Sequence, residues 1–178
     1  MQLATCDHPA PLAHFDAQIY MGQWFEQVHV KDQPFQKNDD VCTYAFYDDL
    51  QADGHFVVHN TGQPAGFGPR TDLVGNGYCP DDSGHCYVAF YDAPFTYPNY
   101  KVVDTDYISY SIVYACDFHQ YVWFLTREPV ISDEQFEEML KIAVKALPYF
   151  DWTQLNQRTY QGEGCDYLPP ASDVEFLQ

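Results

Sequence analysis

Six cysteines, at positions 6, 42, 79, 86, 116 and 165, are the residues best equipped for covalent chemistry. Their number is even, they span the chain, and no two form a C-x-x-C pair. That pattern argues for structural disulfides in an oxidising compartment rather than for a redox dithiol. Cys79, His85 and Cys86 lie close together, but tetrahedral zinc needs a fourth ligand and none is nearby, so no metal site is expected. If all six cysteines pair, none remains as a nucleophile.

The seven histidines stand at 8, 14, 29, 55, 59, 85 and 119. His55 and His59 are four apart, which on a strand places both on one face. They are read as outward and solvated. No G-x-S-x-G, H-E-x-x-H or phosphate-binding loop occurs. The carboxylate pairs Asp39-Asp40, Asp48-Asp49 and Asp81-Asp82 all fall at predicted turns, where solvated charge is expected rather than an acid–base dyad. No catalytic residue is assigned, and the chain reads as a binding protein, not an enzyme.

These side chains must be held by a scaffold, and the hydrophobic periodicity indicates which one. Ser132 with Gln135 is a capping-box pattern. Phe136, Met139, Leu140, Ala143, Val144 and Leu147 follow as one apolar stripe. Glutamates lead and lysines follow, as a helix dipole favours, with Glu137 and Lys141 an i, i+4 pair. Pro148 ends the pattern. A helix is therefore expected over 132–147, laid on the outside of something larger. Upstream, runs rich in aromatic and β-branched residues are broken by short turns: 22–30, 41–50, 55–61, 73–78, 86–91, 100–105, 107–116 and 121–126. The fold class expected is all-β: an eight-stranded antiparallel up-and-down β-barrel with one C-terminal α-helix packed on its outside. A single domain over 1–178 is expected, with an N-terminal extension 1–20, the barrel 21–127 and a C-terminal segment 148–178 that ends in a loose acidic tail. No run of 18 apolar residues occurs, so no membrane insertion is expected. Met1 reads as a start that replaces a removed signal peptide.

Composition narrows the partners. The chain has 178 residues with Lys plus Arg 8 against Asp plus Glu 26, a formal charge of −18. Phosphate backbones repel such a chain, so no nucleic-acid partner is expected. The hydrophobic fraction of 46 % and aromatic fraction of 17 % leave too much apolar surface for intrinsic disorder.

Three motifs, in order, carry a family resemblance. Tyr20-Met21-Gly22-Gln23-Trp24-Phe25 contains a Gly-x-Trp signature at the start of the first strand. Asp104-Thr105-Asp106-Tyr107 contains a Thr-Asp-Tyr turn between strands six and seven, and Thr126-Arg127 ends strand eight just before the helix. Together they resemble the lipocalin family over roughly residues 6–165, and within it the group of apolipoprotein D, the bilin-binding proteins and the crustacyanins. The resemblance implies that Trp24 plugs the closed end of the barrel and that the Arg127 guanidinium stacks on it, both in structural roles. It also implies the bridges Cys6–Cys116 and Cys42–Cys165. Cys79 and Cys86 are left to pair with each other, a departure from the group.

In a small barrel alternate residues face inward. Phased on the motifs, and partly by family likeness, the expected lumen-facing set is Thr43, Ala45 and Tyr47; Phe56, Val58 and Asn60; Tyr87, Ala89 and Tyr91; Tyr100 and Val102; Ser111 and Val113; and Tyr121, Trp123 and Leu125. Phe35, in the long first loop, is a candidate lid. No carboxylate is expected inside. The ligand implied is small and hydrophobic, a pigment or isoprenoid such as a carotenoid, biliverdin, a retinoid or a sterol. No dedicated cofactor is assigned beyond a bound carotenoid or biliverdin. A bilin's two propionates would want cations at the mouth, and only Lys31, Lys37, Arg70 and Lys101 are near. The neutral molecules fit more simply. The function expected is extracellular binding, transport or sequestration by a secreted protein, with homo-oligomers compatible. An amine-sequestering lipocalin, a xanthophyll-processing lipocalin enzyme and an acidic storage protein are the alternatives.

Overall fold

The computed structural model describes residues 9–168. A single turn of helix, α1 (Ala17–Tyr20), leads into eight strands. These are β1 (Gly22–His29), β2 (Val41–Asp48), β3 (His55–Gln63), β4 (Thr71–Tyr78), β5 (His85–Phe90), β6 (Tyr100–Thr105), β7 (Tyr110–Cys116) and β8 (Gln120–Thr126). Each pairs antiparallel with the next, and β8 closes on β1, so the sheet is the expected up-and-down barrel. Closure removes the exposed edges that an open sheet of aromatic strands would present.

The closed end is held as the motifs imply. Trp24 is fully buried and its indole donates to the Tyr20 carbonyl. The Arg127 guanidinium lies 3.8 Å from the Trp24 ring. It donates to the carbonyls of Ile19, Tyr20, Gln23 and Tyr107, tying α1, β1 and the β6–β7 turn together. Asp106 fixes that turn by accepting from the backbone of Ile108, Ser109 and Tyr110.

The helix α2 (Asp133–Ala146) carries the full capping box at Ser132 and Gln135. Met139, Ala143 and Leu147 bury against Ile112, Tyr114, Val122 and Phe124 on the barrel's outer face. Val144, expected in the apolar stripe, is 44 % exposed instead. Lys141 meets Glu138 rather than Glu137. Beyond the helix, a short 3-10 turn (Trp152–Gln154) leads to a segment that lies along β1. The β1–β2 ladder stops at Phe25 and Tyr44. Past that point the C-terminal segment fills the seam: Thr159 N donates to Gln27 O, Asn156 N to His29 O and Cys42 N to Tyr160 O. The Gln161 amide spans it, donating to both Glu26 O and Thr43 O. Two disulfides, Cys42–Cys165 and Cys79–Cys86, are formed as expected. The expected Cys6–Cys116 bridge rests on Cys6, which lies outside the described residues.

Candidate ligand-binding site

The lumen is built in three layers, beginning at the floor. Tyr20, supplied by α1, reaches up beside Trp24, their rings 5.0 Å apart. Its hydroxyl meets Tyr100 at 2.9 Å and Ser111 at 2.8 Å, and Tyr47 meets Tyr100 at 2.8 Å. Burial pushes the Tyr20 phenol up to about 12, against the pull of its Ser111 and Tyr100 hydrogen bonds. It also holds Tyr47 and Tyr100 well above the ordinary phenol range. All three are neutral hydroxyls at physiological pH, and their bonds satisfy one another. This layer acts as a polar floor.

Above it, Phe56, Val58, Val102, Val113, Leu125 and Ala45 form the apolar wall, as the alternation predicts. Two glycines on β4 make room for it. A Cβ on Gly77 would come within 2.1 Å of the Phe56 ring, and one on Gly75 within 2.5 Å of Phe90. Their strand partners Val88 and Phe90 therefore share the inner face. The expected register of β5 is thus corrected by one residue. Cys86, Val88 and Phe90 face inward, whereas Tyr87 and Ala89 face out and Tyr91 is 85 % exposed in the turn beyond the strand. Tyr87 instead joins an outer cluster with Tyr78 and Phe95.

The mouth is aromatic. Tyr121 and Trp123 stack with centroids 6.0 Å apart, and Phe35 from the first loop sets its edge on Tyr121 at 5.3 Å and lies 6.4 Å from Trp123. Phe35 is 65 % exposed, a cover resting on the rim. Asn60, opposite Ala45 on β3, is exposed.

One part of the site departs from expectation. Glu26 and His29 stand opposite the lumen-facing Leu125 and Trp123. Residues three apart on a regular strand would face opposite ways, but a bulge between Glu26 and Val28 turns both to one side. Both are buried, with Glu26 Oε1 2.8 Å from His29 Nδ1. Gln36 of the first loop and Thr159 of the C-terminal segment donate to the same oxygen, and Asn156 Nδ2 lies 3.2 Å from His29 Nε2. The network fits the imidazole tautomer with its proton on Nδ1. One buried pair thus fastens the loop, the strand and the C-terminal segment together. Glu26 Oε2 has no hydrogen-bond partner among the described residues.

The candidate mouth cations are largely committed elsewhere. Lys31 donates to the Thr153 carbonyl, and Arg70 pairs with Asp72 and Asp166. Lys101 is turned to the outer face, buried over Tyr114. Lys37 is exposed in the first loop, as is Lys31 at its start. Separately, a depression of about 660 Å³ lies outside the barrel at its closed end, between Phe15, Leu50 and the turns at Asp53 and Asp81. None of the floor, wall or mouth residues described above lines it.

Comparison with known proteins agrees with this architecture. The family model for the Lipocalin-like domain matches residues 15–159. Outer membrane lipoprotein Blc of Citrobacter freundii is 31 % identical over 80 % of this chain and 82 % of its own length. Apolipoprotein D of Rattus norvegicus is 28 % identical over 74 % of this chain and 71 % of its own. Among solved structures, insecticyanin from the tobacco hornworm Manduca sexta superimposes with a TM-score of 0.74 at 20 % identity, covering 93 % of this chain and 92 % of that one. The two disulfides are consistent with an extracellular or periplasmic location, and no helix among the described residues is long and apolar enough to cross a membrane.

Proposed function

The chain belongs to the lipocalin family, and from that premise we propose that its barrel binds a small, neutral, largely apolar molecule of the pigment or isoprenoid class as a secreted carrier. The observation that carries this reading is the Phe35–Tyr121–Trp123 rim above an apolar wall. Planar conjugated ligands stack favourably on such rings, and an eight-stranded barrel has room for one small ligand. A ligand with two carboxylates is less well served. Lys31, Arg70 and Lys101 are engaged by other groups or turned outward, and the molecule as a whole is strongly acidic.

The chemistry is burial, not turnover. Ala45, Tyr47, Phe56, Val58, Val102, Ser111, Val113 and Leu125 would shape the pocket, with Asn60 at its rim and Tyr100 in its floor. Tyr87 and Tyr91 leave this set, and Val88 and Phe90 replace them. The test is absorbance of the protein isolated from its source, together with titration of the purified chain by retinol, a carotenoid and biliverdin. Trp123 emission should be quenched by the neutral ligands more strongly than by biliverdin. Stronger binding of biliverdin would overturn the neutral-ligand reading.

A second reading rests on Glu26. An inward carboxylate is what an amine-sequestering barrel requires, and an ammonium could take Glu26 Oε2 while its ring lies on Trp123. Titration with tryptamine and histamine distinguishes it, since Glu26→Gln should abolish amine binding and leave retinol binding unchanged.

A further inference from the structure

Two buried polar groups at the open end of the barrel lack partners. Gln33 is 6 % exposed, yet neither its Oε1 nor its Nε2 makes a hydrogen bond. Its neighbours Asp32 and Pro34 are exposed. Two residues on, Phe35 rests on Tyr121 and Trp123, which brings this loop to the mouth. Thr43 Oγ1 is likewise buried and unpartnered. It alternates with the inward Ala45 and Tyr47, and a Cβ on Gly62, which continues the inner face of β3, would lie 3.3 Å from it. In the floor, by contrast, the hydroxyls of Tyr20, Tyr47, Tyr100 and Ser111 satisfy one another. Buried amides with both atoms unpaired are rare in native proteins because each unmade bond is costly.

We infer that Gln33 and Thr43 are the polar end of the site proposed above and select ligands whose apolar body ends in a carboxamide. The inference rests on the reading that the lumen binds a small apolar ligand. A primary amide both donates and accepts in one plane, so only a group that does the same satisfies both its atoms. A second amide can do so through two parallel N–H···O bonds. An aldehyde would satisfy only Nε2. A carboxylate would leave Oε1 facing negative charge, and a single hydroxyl cannot bridge both atoms as well. The ligand's body would then extend inward from the lid and lie against Trp123 and Tyr121.

Four retinoids share one polyene and differ only at the polar end: retinol, retinal, retinoic acid and retinamide. Titrated into the intact chain and followed by Trp quenching, retinamide should bind at least tenfold more tightly than retinal or retinol. Gln33→Met should erase that preference by weakening retinamide more than retinal, and Thr43→Val should reduce it. Gln33→Met should also raise the unfolding temperature, because it replaces an unpartnered amide with an apolar group of similar length. Equal binding of the four, a preference that survives Gln33→Met, or a lowered unfolding temperature in that variant would each overturn this assignment. Failure of all four to bind would instead overturn the apolar-ligand reading on which it rests.

Discussion

Trp123 can be altered at little structural expense because it is only partly buried and sits on the rim rather than in the wall. Trp123→Ala is expected to weaken retinoid binding about tenfold or more, from lost stacking and apolar contact, while lowering stability by only about 1 kcal/mol. Titration beside denaturant unfolding separates the two effects, and unchanged affinity would remove this side chain from the site. The floor makes a pH prediction. Tyr20 is neutral in the fold up to about 12, whereas in the unfolded chain it ionises near 10. A phenol with a raised folded-state pKa contributes fully below the unfolded value and loses that contribution as pH rises through the folded one. Stability should therefore be level through neutral pH and fall between about pH 10 and 12, by roughly 3 kcal/mol for Tyr20. Tyr20→Phe should remove that share of the alkaline limb in denaturant unfolding, leaving the share of Tyr47 and Tyr100. At this scale the sequence was readable where a motif set the phase. Counting back from Arg127 places Leu125, Trp123 and Tyr121 on the lumen side. Glu26 and His29 were not readable, because strict alternation separates them and only the bulge brings them together. Gln33 sits in a loop, where no period exists to place it.

Strand β5 shows how an element can be found and still be turned over. Its extent is nearly as expected, but a one-residue slip exchanges the two faces of a strand. The signal that places it lies on its neighbour. Gly75 and Gly77 are two apart, and glycines at that spacing mark the face where large side chains pass closely. Gly77→Ala should cost about 1–3 kcal/mol through overpacking against Phe56, and Phe56→Leu in the same chain should recover part of it. Denaturant midpoints of the single and double variants measure both; an unaffected Gly77→Ala would mean that β4 moves aside. The helix was legible almost to the residue because its cap, stripe and terminating proline agree. The long first loop was legible only as a lid. That it is fastened to the barrel by a buried pair follows from tertiary contacts between residues 26, 29, 36 and 159.

For the whole molecule, the acidity belongs to the outer shell. Asp48, Asp49, Asp81, Asp82 and the glutamates of α2 are exposed, and among the described residues Glu26 is the exception, taken inside the barrel and paired with His29. Cys42–Cys165 closes 123 residues of chain, and opening it by Cys42→Ser with Cys165→Ser should lower stability by about 3–5 kcal/mol. Hydrogen exchange should then rise first in residues 154–161, because the bridge anchors that segment beside the seam. Exchange that rises evenly over the barrel would argue that the seam segment holds by itself. The seam also sets a timetable for biosynthesis. A chain leaving the ribosome makes β1 long before residues 159 and 156, the partners of Gln27 and His29 on one flank. Until residues 156 to 159 have emerged, those backbone groups have no mate. Slow, non-local pairing of this kind exposes unfinished edges to other nascent chains, so chaperone dependence and yield should respond more to changes in residues 154–161 than the modest size of that segment suggests.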